Sequence, residues 1–212
     1  MSDAVVFSIP DKSLSYPDFI YLDTNSVAEI GLDRKYKNQV MTFMIDATQN
    51  DTIFVYSSHM IEELQHTIHI DILQKEMQKQ GFKPNKNINK PALKQFEDVV
   101  NVGPKTLAVF NDLVNILKSS TANTLYELEE APPEELRPII DTYISAGIAP
   151  KDAKHSAIMN YHGLNNILTL DKGFTKVPDI NIYAPNPGLT NTSFVGSKPN
   201  TYTTIMQQIK TT

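Results

Sequence analysis

Four short runs constrain this chain most: FIYL at 19–22, TIFVYS at 52–57, NILTL at 166–170 and INIYA at 180–184. Each is rich in Ile, Val, Phe or Tyr and is bounded by turn-forming or charged residues, the pattern of a short buried strand. Helix-like segments separate the first three. Asp33 stands where it would cap RKYKNQVMTFMIDATQ, and Ser57 or Ser58 where either would cap HMIEELQHTIHIDILQKEMQKQ. Pro150 opens KDAKHSAIMNYHG as its first helical residue, and Gly163 ends it. Strands alternating with helices predict an α/β fold, a central parallel sheet flanked by helices on both faces.

Between the second and third runs, from about 82 to 145, PALKQFEDVVNV, PKTLAVFNDLVNILKSS and PPEELRPIIDTYISAG read as helices punctuated by Pro and Gly. This stretch is expected to be an all-helical insertion within a domain spanning 1–185. Beyond it, at 186–212, the composition shifts to Asn, Pro, Gly, Ser and Thr, which predicts a C-terminal tail laid on the surface.

With 212 residues the chain can bury a core without disulfides, and it contains no Cys, which excludes thiolate metal sites and thiol catalysis. No apolar stretch approaches the roughly 20 residues that span a bilayer. The opening MSDAVVFSIPDKS carries an acid where a secretory leader has bases, so the expected location is cytoplasmic, with no membrane partner. The net charge of −5 argues against a protein that coats nucleic acid everywhere but leaves room for a local basic face. Lys75, Lys79, Lys83, Lys86, Lys90 and Lys94 stand against the single acid Glu76, whereas 127–141 holds six acids and one base, Arg137.

Two of the strand-like runs end on an aspartate: Asp23 follows FIYL and Asp171 follows NILTL. A carboxylate at the dry end of a strand is costly unless a donor or a cation meets it. In a parallel sheet the residues that follow strands converge on one edge, where such folds bind ligands. Asp152 in the first turn of its helix, and Glu62 and Glu63 early in theirs, reach that edge if those helices start there. Each acid alone has a plain reading: Asp23 caps TNSVAEIG, Asp152 is ordinary first-turn charge, Asp171 begins a turn. Four acids on one edge repel one another, and a hard divalent cation bound through oxygen, Mg²⁺ or Mn²⁺, relieves that repulsion.

The segments LDTNS, SSHMIEELQ, APKDAKHSAIMNYHG and NILTLDKGF, in that order, resemble the signature of PIN-domain ribonucleases, the group that includes VapC toxins. The resemblance implies a PIN-like fold and maps the family's acids onto Asp23, Glu63, Asp152 and Asp171, as metal-holding and catalytic residues. Glu63 precedes Leu64, Asp152 precedes Ala153, and Asp171 lies between Thr169 and Phe174 as the family pattern requires. Asn25 matches a polar position that orients the first acid. The implied activity is Mg²⁺- or Mn²⁺-dependent endoribonuclease, with an RNA substrate and an antitoxin or other inhibitory protein as partner; a second copy of the chain, in a homodimer, is a further expected partner. The alternative is a catalytically silent PIN-fold module that docks RNA or a protein.

Other constellations fit less well. Glu63 and His66 form one Glu-x-x-His pair, but a carboxylate-bridged di-iron site needs two. A haloacid-dehalogenase-type site needs an acid where Asn25 stands, and no Walker-type glycine loop exists. His66, His69 and His162 read as packing or surface residues, and so does His155 unless it reaches the acid edge. The lysine run offers two readings, a solvated surface paired with the acids of 127–141, or an RNA guide using Lys79, Lys83 and Lys86.

Overall fold

The computed structural model describes residues 4–9, 14–81, 90–122 and 124–185. Six strands form one sheet: β1 Val5–Ser8, β2 Phe19–Leu22, β3 Ile53–Tyr56, β4 Leu125–Glu127, β5 Asn166–Leu168 and β6 Asn181–Ala184. Their order is β1-β6-β5-β2-β3-β4, and every pairing is parallel. The helices are α1 Thr24–Gly31, α2 Lys37–Gln49, α3 Ser58–Lys79, α4 Lys90–Glu97, α5 Gly103–Ser120, α6 Pro133–Ser145 and α7 Pro150–Tyr161. The α/β architecture is the expected one. Among the described residues no helix is long and apolar enough to cross a membrane.

Side chains alternate across β2 and build a core on each face of the sheet. Ile20 and Leu22 join Val27, Phe43, Met44, Leu64 and Leu73 on one face. Phe19 and Tyr21 join Ala153, Ile158, Ile167 and Phe174 on the other. All four β2 residues are fully or nearly fully buried, as a central parallel strand requires.

Strand β2 is also where the topology reverses. From it the chain proceeds to β3 and β4 on one side, then returns to β5 and β6 on the other. Such a reversal opens a crevice outside the carboxyl ends of the two strands that flank it, here β2 and β5.

Three expectations change. The stretch from 82 to 145 is not helical throughout: β4 lies inside it and extends the sheet beyond β3. A three-residue edge strand, LYE, is too short to express an alternation. Strand β1, VVFS, pairs with β6 and was read only as part of the chain's opening. Asp33 does not cap α2, which starts at Lys37 behind Tyr36. Asp33 instead takes a left-handed backbone with φ of 54°, a conformation Asp tolerates better than most residues, and its carboxylate pairs with Lys37 Nζ at 2.9 Å. The proposed tail, 186–212, lies outside the described residues.

Candidate metal centre

Asp23 leaves β2 and serves as the N-cap residue of α1, yet its side chain makes no capping bond. It turns instead toward β5, where Thr169 Oγ1 donates to Asp23 Oδ2 at 2.6 Å. The carboxylate is almost wholly buried, and that burial raises its pKa, against the lowering effects of His155 and the Thr169 hydrogen bond. Asn25 is exposed and makes no bond to Asp23 among the described residues, so the orienting hydroxyl is that of Thr169.

Thr169 has a second partner, since its Oγ1 accepts the backbone N–H of Asp171 at 2.9 Å. Asp171 in turn accepts the N–H of Gly173 through Oδ1 at 2.8 Å and caps the 3₁₀ turn Lys172–Lys176. One hydroxyl therefore ties the acid after β2 to the turn carrying the acid after β5.

Asp152 stands in the first turn of α7, opened by Pro150 as expected. No donor among the described residues bonds its carboxylate. Burial, then the charges of Asp171 and Asp23, push its pKa up to about 6. A β-carbon placed on Gly173 would collide with Asp152 Oδ2 and lie 3.3 Å from Asp171 Oδ1, so these two carboxylates flank the bare Cα of Gly173.

Glu63 arrives from α3, whose first turn is fixed by Ser57 accepting the Met60 N–H at 3.3 Å. Its Oε2 accepts from His155 Nε2 at 2.9 Å and from Thr24 Oγ1 at 3.2 Å, and Lys151 Nζ lies 3.1 Å from Oε1. The His155 hydrogen bond is the main reason its pKa falls to about 2. Glu62, its neighbour, is exposed and lines an adjoining cavity of about 550 Å³ with His59, Arg137 and Lys154. The four expected acids thus converge on the crevice between β2 and β5, and Glu62 stays out of it.

Two histidines join them. His155, on the buried face of α7, sits 3.9 Å from Asp23 Oδ1, and its Nδ1 is 2.8 Å from the Tyr21 hydroxyl, which is 2.7 Å from Ser57 Oγ. His59, which the sequence reading passed over, lies one turn before Glu63 on α3, 3.8 Å from its Oε1. The i,i+4 spacing of His59 and Glu63 was the available signal. Donor atoms of His59, Glu63 and His155 all lie within 4.8 Å of one another, close enough to share one ion. His66 is exposed, His69 bonds Glu97 at 2.8 Å, and buried His162 meets the Glu129 carbonyl.

Of the lysine run, Lys75 pairs with Asp71 at 2.7 Å, and Lys79 shares Glu76 with Lys105. These partners lie on α3 itself rather than in 127–141. Lys83 and Lys86 lie outside the described residues.

No family model and no curated protein matches this sequence. Among solved structures, the crystal structure of FitAcB from Neisseria gonorrhoeae aligns with a TM-score of 0.46 at 17% identity, over 78% of this chain and 97% of that one.

Proposed function

We propose that this chain is a PIN-like endoribonuclease dependent on Mg²⁺ or Mn²⁺, with Asp23, Glu63 and Asp152 as the residues that hold the principal ion and Asp171 completing the site. The observation that carries this reading is the convergence of four carboxylates at the reversal point of a parallel sheet, one of them, Asp152, without a donor among the described residues and with its pKa raised to about 6. Oxygen-only donors that repel one another fit a hard dication. When bound, such an ion supplies charge on the phosphate oxygens and acidifies a water.

The chain's own residues then have distinct tasks. Asp23, locked by Thr169, is the fixed point of the site. Asp171 has one oxygen committed to Gly173 N–H, which leaves the other to orient the attacking water. Lys151, exposed and 3.1 Å from Glu63, offers a cation to the phosphodiester of an incoming strand. The toxin role, with its inhibitory partner and homodimer, and the RNA-guiding role of Lys79, Lys83 and Lys86 rest on the resemblance and on charge alone.

Purified protein incubated with labelled RNA and with DNA of the same sequence, in Mg²⁺, Mn²⁺ or EDTA, tests the reading. RNA cleavage that requires the divalent ion is expected. Intact RNA under all three conditions would replace the enzyme by the silent docking module.

A further inference from the structure

We infer that His59, Glu63 and His155 form a second metal site, selective for a borderline transition dication of the Zn²⁺ class, which adjoins the oxygen-only site and shares Glu63 with it. The proposal does not depend on ribonuclease activity. It starts from an unpaid polar cost: both ring nitrogens of His59 are shielded from solvent and have no hydrogen-bond partner among the described residues. An imidazole with both nitrogens shielded and unpartnered is unusual in a folded protein, and a bound ion is one of the few arrangements that accounts for it. The His59 and His155 ring centroids are 4.8 Å apart, so both imidazoles border the same space beside Glu63.

The donor set has the right chemistry. Two imidazoles and one carboxylate favour Zn²⁺ and its neighbours over Mg²⁺, which prefers oxygen throughout. His59 and Glu63 come from one side of α3 at i,i+4 and His155 comes from α7; the two helices cover opposite faces of the sheet, and their early turns bring the three side chains together at its carboxyl edge. The separations of 3.8 Å and 2.9 Å from Glu63 to His59 and to His155 bracket the spacing of donors around such an ion. Lys151, the cation now beside Glu63, is well exposed and can swing into solvent.

The support behind His155 suits a ligand as well. Its Nε2–H donates to Glu63, and Nδ1 accepts from Tyr21 O–H. To bind an ion, Nε2 must lose its proton and Nδ1 must carry one. The Tyr21 hydroxyl can then accept from Nδ1–H while donating to Ser57 Oγ, so reversing one hydrogen-bond chain completes the change. A ligating histidine usually has such a partner on its other nitrogen.

Co²⁺ serves as the probe, because its visible d–d absorption reports nitrogen ligation at low coordination number. Wild type is expected to develop the band with one equivalent, His59→Gln to lose it, and Asp152→Asn to keep it. Tyr21→Phe, which removes the partner of Nδ1, is expected to weaken Co²⁺ binding about 10–100-fold. X-ray absorption on Zn²⁺-loaded wild type needs no variant and should show two imidazoles in the first shell. A shell without imidazole, a band that survives His59→Gln, or one erased by Asp152→Asn overturns the proposal. Loss of the RNA-cleaving reading leaves all of these measurements standing.

Discussion

Thr169 Oγ1 donates to Asp23 Oδ2 at 2.6 Å, joining the residue that follows β5 to the residue that follows β2 across 146 positions of sequence. The same oxygen accepts from Asp171 N–H. Thr169→Val keeps the shape and removes both bonds, leaving a buried carboxylate short of a donor. The expected loss is about 1–3 kcal/mol of stability, while Thr169→Ser, which keeps the hydroxyl, loses less. Urea unfolding in EDTA measures both. Equal stability of the Val variant and wild type would mean that water replaces the hydroxyl.

Glu63 and Glu62 separate by their direction from α3. Adjacent helical residues point about 100° apart, and here Glu63 faces His155 and Thr24 while Glu62 is exposed. Glu63→Gln is expected to abolish divalent-dependent RNA cleavage, and Glu62→Gln to leave it within about twofold, since it perturbs only an exposed group. Comparable losses in both variants would place the substrate path over Glu62 and the neighbouring cavity.

The legible part of this molecule is the part with a periodic or positional signature. Strands β2, β3, β5 and β6 were readable because buried parallel strands are nearly continuous apolar runs, and the acids were readable because they follow those runs. Ser57 and Pro150 marked their helix starts for the reasons capping and proline geometry give. Strand β4 was not legible, since three residues on an edge have no period. His155 was legible only as a residue on the right helix. Its contact with Glu63 depends on α3 and α7 reaching the same sheet edge from opposite faces, which no local signal encodes. Thr169 appeared only as one letter of a pattern, yet it does the orienting expected of Asn25.

Gly173 lacks a side chain where Asp152 needs room. A β-carbon there would overlap Asp152 Oδ2, the end of a short, half-buried side chain that must rotate away. The backbone of Gly173 is not in the left-handed region, so alanine suits its conformation. Gly173→Ala is therefore expected to fold normally while weakening Mn²⁺ binding about 10–100-fold, as displacing the support of a metal ligand commonly does. Calorimetric titration with Mn²⁺ reads the change. Wild-type affinity in this variant would remove Asp152 from the ligand set.

Asp152 and His59 give the fold opposing responses to pH. The Asp152 carboxyl rises from 3.8 to about 6 on folding, mainly through burial and then the Asp171 and Asp23 charges. Between those values the native state holds a proton that the unfolded chain has lost, so this group makes stability fall as pH rises and contributes no further slope above about 6. His59 moves the other way, from 6.5 down to about 4, chiefly by burial. Across that range the unfolded chain binds the extra proton, so His59 makes stability rise with pH. In wild type the two slopes partly cancel. Glu63, lowered from 4.5 to about 2, loses its stabilising contribution as pH falls through about 4.5 toward 2, at the low end of the window and below it, and does so in wild type and variant alike. Asp152→Asn should therefore match wild type in melting temperature near the low end of the window, then gain on it steadily as pH rises to about 6, and hold that gain above. Melting curves recorded in EDTA from pH 4 to 8, in steps of about half a unit, resolve a linkage of this kind. A difference between the two proteins that does not change with pH would show that the Asp152 carboxyl titrates as it does in the unfolded chain, and the repulsion that motivates the metal centre would be absent.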